Sequence, residues 1–226
     1  MGGCTNCKGK TGCDSRKGSM MESVDQALAE LYPSHTWGEA EEPRDPNHAG
    51  MPPEELAALA EELALELNAA TFVRTGDDNE PCDYIYVLAL GRAPCIVQVR
   101  DHEVGVPDEW ADGVEEMYLR VVVSQRARVA AVQQVAITAT KGDGTWLVRE
   151  SPRAGVYDAP LLKRMQKLVA ILPAYDLLHV DFGEIAHAPP GFHAGAWREL
   201  FGGEPSIANY LFYPQPTTMI TTSVLM

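Results

Sequence analysis

The stretch Tyr118-Leu-Arg-Val-Val-Val-Ser-Gln-Arg-Ala-Arg-Val-Ala-Ala-Val-Gln-Gln-Val-Ala-Ile-Thr-Ala-Thr140 decides the fold. Its β-branched residues read as two extended segments, 118–123 and 132–140, while its alanines and arginines also permit one long helix. The next residues, Lys141-Gly-Asp-Gly-Thr145, form a turn signal that leads into Trp146-Leu-Val-Arg149, a further extended run. Read as strands, these runs belong to a sheet of hairpin-linked, antiparallel strands.

Upstream, residues 71–74, 84–90 and 95–100 are rich in β-branched and aromatic side chains. The last two runs are separated by Gly-Arg-Ala-Pro, which predicts a hairpin. Residues 108–117 are expected to be helical. Before the strands, Pro53, Glu54 and Glu55 suit the first turn of a helix, and Leu56, Leu59, Ala60, Leu63 and Leu67 form its apolar stripe. An earlier helix is expected from Ser19, whose spacing to Glu22 has the form of a capping box. Met20, Val24, Ala27, Leu28 and Leu31 recur at helical intervals, and Pro33 stops the pattern.

Downstream, Pro160 opens an amphipathic helix with Leu161, Leu162, Met165, Leu168, Val169 and Leu172, ending at Pro173. Residues 177–182 alternate as a strand, 194–201 suit a short helix, and the Tyr210-Leu-Phe-Tyr213 cluster reads as core. Helices segregated from a run of strands predict an α+β fold, with a largely antiparallel sheet and packed helices behind a cysteine-rich N-terminal arm. Residues 1–52 comprise the arm, a short helix and a Pro-rich acidic linker. Residues 53–226 are expected to form the globular domain.

A chain of 226 residues with 46% hydrophobic and 22% charged residues has the composition of an ordinary folded protein. Its net charge of −14 repels a phosphate backbone, which argues against general nucleic-acid binding. The opening residues lack the basic-then-apolar pattern of a secretory leader, and no apolar run reaches membrane-spanning length, so a cytoplasmic location is expected. In a reducing compartment, five cysteines are better explained as ligands and buried thiols than as disulfides.

Three of those cysteines, Cys4, Cys7 and Cys13, lie within the first thirteen residues. Two thiols separated by two residues chelate one centre without straining the backbone, and Gly2, Gly3, Gly9 and Gly12 ease wrapping around it. The spacing C-x2-C-x5-C resembles iron–sulfur loops in general, although it departs from the bacterial C-x2-C-x2-C-x3-C-P run. Lys8, Lys10, Arg16 and Lys17 against Asp14 give residues 1–17 a charge of +3, leaving −17 on the remainder. Such cations favour the thiolate and offset the negative charge of a cluster.

The expectation is therefore an iron–sulfur cluster, [4Fe–4S] in type, on Cys4, Cys7 and Cys13. Cys82, expected in an exposed turn before a strand, is the candidate fourth ligand. Cys95, inside an apolar run, reads as a buried structural thiol. Zinc is the direct rival, with Cys82, His35 or His48 completing a tetrahedral site, and an arm of reduced thiols without metal is the third reading. These give an electron-transfer or accessory subunit docking on a redox or metalloenzyme partner, or a zinc-binding assembly or interaction factor.

Two motif fragments lead nowhere. Gly9-Lys10-Thr11 lacks the earlier glycine and the preceding strand of a phosphate loop, and Asp181-Phe182-Gly183 has no companion kinase motifs. A less favoured enzymatic reading rests on His179, Asp181, Glu184, His187 and His193, which concentrate acid–base groups beside a Pro-Pro-Gly loop.

Overall fold

The 118–140 stretch forms two long strands and the bend between them, not a helix. A computed structural model describes residues 23–36, 50–76, 82–88, 99–100, 103–104, 115–141, 145–153, 159–195, 198–199, 202–212 and 221–225. In chain order the elements are α1 (Val24–Leu31), α2 (Pro53–Leu67), β1 (Thr71–Arg74), β2 (Cys82–Leu88), β3 (Val99–Arg100), β4 (Glu103–Val104), β5 (Glu115–Ser124), β6 (Val129–Lys141) and β7 (Thr145–Arg153). They continue with α3 (Ala159–Ile171), a 3-10 turn (Leu172–Tyr175), β8 (Leu178–Val180), α4 (Ile207–Phe212) and β9 (Thr221–Leu225).

The fold is α+β. The main sheet runs β1-β2-β5-β6-β7-β9 with every neighbour antiparallel. β6 is long enough to use one edge twice: β7 pairs with 134–141, and β8 lies parallel to Val129, Ala130 and Ala131. Of the expected hairpin between 84–90 and 95–100, residues 89–98 lie outside the described residues, and the described ends pair elsewhere. Both edges of β2 are already taken, by β1 and β5, and Val99 and Arg100 pair instead with Val104 and Glu103. The end of the expected 108–117 helix is also strand, because Glu115, Glu116 and Met117 continue the β5–β6 ladder opposite Thr138, Ile137 and Ala136.

Alternation along the strands sends side chains to two cores. Ile85, Val87, Leu119, Val121 and Val123 meet the stripe of α2 (Leu56, Leu59, Ala60, Leu63, Leu67) and Leu161 and Leu168 of α3. Each fully buried leucine contributes about 1.5–3 kcal/mol. Leu162, counted in the expected stripe of α3, is 39% exposed.

On the opposite face Cys82, Tyr84, Tyr86, Tyr118, Val122 and Val135 pack with α1 and α4. α1 starts after Ser23 instead of Ser19. Ser23 is extended and its Oγ accepts the Gln26 N–H at 3.1 Å, and the helix ends before Pro33 as expected. Ser19 and Glu22 lie outside the described residues. Ala27, Leu28 and Tyr32 bury α1 in this core, and the Tyr32 hydroxyl donates to the Tyr210 carbonyl at 2.8 Å. All six residues of α4 are buried, with Ser206 and Asn209 exchanging hydrogen bonds at its start.

Candidate functional site

Cys4, Cys7, Cys13, Cys95 and His48 lie outside the described residues. Cys82 is described, and its setting differs from the expected exposed turn. It begins β2, is fully buried, and its thiol lies 3.0 Å from Tyr84 Oη and 3.7 Å from the Phe212 carbonyl. The apolar run that follows it in sequence is a central strand packed on both faces, and the register opposite Ser124 draws Cys82 into the ladder. His35 stacks on Phe192 at 4.7 Å.

The 179–193 groups run from β8 into the loop that follows it. His179 is in β8 opposite Ala130, and Asp181 Oδ1 accepts the Gly183 N–H at 2.7 Å. The His187 carbonyl accepts from Ile207, and the His193 N–H donates to the His35 carbonyl at 2.9 Å. Burial lowers the His179 pKa, against the opposing pull of Asp181 and Glu184. Among the described residues no three His, Cys, Asp or Glu side chains converge as a metal-binding group.

Two other constellations stand out. On the aromatic face, Arg120 is fully buried and spans the sheet: Nη1 donates to Glu150 Oε2 at 2.7 Å and Nη2 to Gln133 Oε1 at 2.6 Å. Tyr86 Oη lies 2.9 and 3.0 Å from the two Glu150 oxygens, its ring stacked on Phe72 at 4.3 Å. Arg74 and Arg120 hold their guanidiniums 4.2 and 5.1 Å from the Tyr84 ring centre, within cation–π range. Burial and the Glu150 carboxylate push the Tyr86 hydroxyl well above the usual phenol range, so it stays a donor. Burial opposes the Arg120 charge, but Tyr86, Glu150 and Tyr84 outweigh it and raise its pKa. This cluster is a buried ionic network on the aromatic face of the sheet.

The second is an open cleft of about 500 Å³ where the start of α2 meets the ends of β1, β2 and β5. Met51, Pro52 and Leu56 supply its apolar wall, and Thr75, Asp83 and Gln125 its polar wall. Asp83 is 5% exposed. Its Oδ1 accepts from Gln125 Nε2 at 2.8 Å and from the Gly76 N–H at 3.1 Å. Burial raises its pKa, partly offset by those two hydrogen bonds. Asp83 is thus a buried acid at the wall of an open cleft.

Sequence reading passed over Asp83, Arg120 and Glu150. The available signal was a charge interrupting an apolar strand, in Cys82-Asp-Tyr-Ile and Tyr118-Leu-Arg-Val. No family model, curated protein or solved structure matches the chain. Among the described residues no helix is long and apolar enough to cross a membrane.

Proposed function

We propose that the chain is an iron–sulfur protein, an electron-transfer or accessory subunit for a redox or metalloenzyme partner, with Cys4, Cys7 and Cys13 as cluster ligands. The observation that carries this reading is three closely spaced thiols in a +3 segment joined to a body of charge −17. Thiolates and cluster are anionic, and local cations lower the cost of gathering them.

Two features of the folded body support the reading. α1 is pinned in the core by Ala27, Leu28 and Tyr32, and only ten residues lead from Cys13 to Ser23. A cluster on the arm therefore stays within about 35 Å of that anchor. Cys82 is buried beside Tyr84 and Phe212, which favours a ligand set of Cys4, Cys7 and Cys13 with the fourth position open to another group. An open position suits a centre that is completed on, or handed to, a partner.

Anaerobic purification, visible absorption and iron and sulfide analysis test this. We expect a brown protein with about four iron and four sulfide per chain, lost in the Cys4→Ser, Cys7→Ser, Cys13→Ser triple variant. Stoichiometric zinc without iron would move the assignment to a zinc-binding interaction factor. Colourless, metal-free protein after reconstitution would remove both.

A further inference from the structure

We propose that the cleft between α2 and the β1–β2–β5 end of the sheet receives the ammonium or guanidinium head of a small organic cation, with Asp83 as its counter-ion. The proposal does not rest on the metal reading.

The geometry around the carboxylate points to a donor ligand. Both described donors to Asp83, Gln125 Nε2 and the Gly76 N–H, reach the same oxygen, Oδ1. A carboxylate offers about four lone-pair directions. Among the described residues no hydrogen bond is directed to Oδ2, which is left for an incoming N–H. The remaining polar lining, the Thr75 hydroxyl and the Gln125 amide oxygen, also offers acceptors, and among the described residues no Lys or Arg lines the cleft.

Charge makes the same selection. An anion at a helix start normally uses free backbone N–H groups. Here Pro52 and Pro53, which line the cleft with Asp83, have none to give. The whole chain carries −14, so its field attracts cations. The Met51, Pro52 and Leu56 wall gives an alkyl stem an apolar surface beside the charged head.

The site is also built to hold its shape. A Cβ on Gly50 would stand 2.7 Å from the Gln125 carbonyl oxygen, so only glycine lets these two backbones close together. That contact fixes Gln125, whose amide in turn orients Asp83. A carboxylate kept in a nearly dry position is unfavourable in the empty protein, and a bound cation relieves that cost.

The test uses the full chain, with n-propylammonium and methylguanidinium chloride as probes and sodium chloride at equal ionic strength as reference. Backbone amide NMR should show saturable shifts at Gly76, Asp83 and Gln125, with Kd on the order of 1 mM for so small a probe. Asp83→Asn, which keeps an acceptor for Gln125 and Gly76, should weaken binding by about tenfold or more. Thr75→Phe, placed on the exposed rim, should block binding in a folded protein. No saturable response in folded wild-type protein, or equal affinity in Asp83→Asn, overturns the proposal. A stronger response to sodium propionate than to either cation overturns it as well.

Discussion

Arg120 Nη1 donates to Glu150 Oε2 at 2.7 Å although the two residues belong to strands separated by a third, β6. Arg120 is fully enclosed and the Glu150 side chain is 13% exposed. The pair is bracketed by Tyr86 and Gln133, so each charge is matched by hydrogen bonds. Desolvating two ions is costly, and the hydrogen bonds from Arg120 Nη1 and Nη2 to Glu150 and Gln133 offset that cost.

Breaking one side of this pair leaves an uncompensated buried charge. Glu150→Gln and Arg120→Met should each lower the unfolding free energy by about 3–5 kcal/mol. The Arg120→Met, Glu150→Leu double variant should recover much of that loss. Urea denaturation of the four proteins measures the coupling; single-variant losses under about 1 kcal/mol would show the network to be solvated.

Asp83 predicts the opposite sign. Burial holds its folded pKa above the ordinary 3.8, so folding favours the protonated acid. That stabilisation is complete below 3.8 and is lost as pH rises through the folded value. Asp83→Asn should therefore melt above wild type at pH 7, with the gap closing as the pH approaches 3.8. A residue that lowers stability where it stands is the pattern of a functional group. A variant less stable than wild type at pH 7 would contradict this account.

His179 governs acid sensitivity in β8. Burial depresses its folded pKa below 6.5, more than Asp181 and Glu184 raise it. Its contribution is intact above 6.5 and is lost as pH falls through the folded value. His179→Gln should flatten the melting temperature between pH 6.5 and 5, while wild type declines. Parallel curves for the two proteins would assign the decline elsewhere.

Cys82 separates packing from ligation. Cys82→Ala should cost about 1–2 kcal/mol by emptying space beside Tyr84 and Phe212. Metal content per folded chain should be unchanged, whereas the triple variant at Cys4, Cys7 and Cys13 loses its metal. Loss of metal in a folded Cys82→Ala protein would return that thiol to the ligand set.

Local chemistry carried much of the fold into the sequence. The apolar stripe from Leu56 to Leu67 is the buried face of α2, the β-branched runs at 118–123 and 132–140 are strands, and Pro33 follows the end of α1. Ser19 has the capping-box spacing, but Ser23 offers the same hydroxyl four residues later, and its Oγ accepts the Gln26 N–H that caps α1. The described ends of the expected 84–100 hairpin pair elsewhere for another reason. Turn residues report that a chain can reverse, but not whether the strand edge is already occupied by β1 and β5.

The order of residues by itself determined the helical stripe of α2 and the apolar positions of the strands, because both follow from interactions within a few residues. It also placed three thiols together at Cys4, Cys7 and Cys13, since their proximity is covalent. Only the tertiary structure decided that Cys82 is buried, that Arg120 meets Glu150 across β6, and that Asp83 lines a cleft with the start of α2. Those meetings join residues about 30 apart or brought from separate elements, and strand order and register, set by which edges and faces can pack at once, select them.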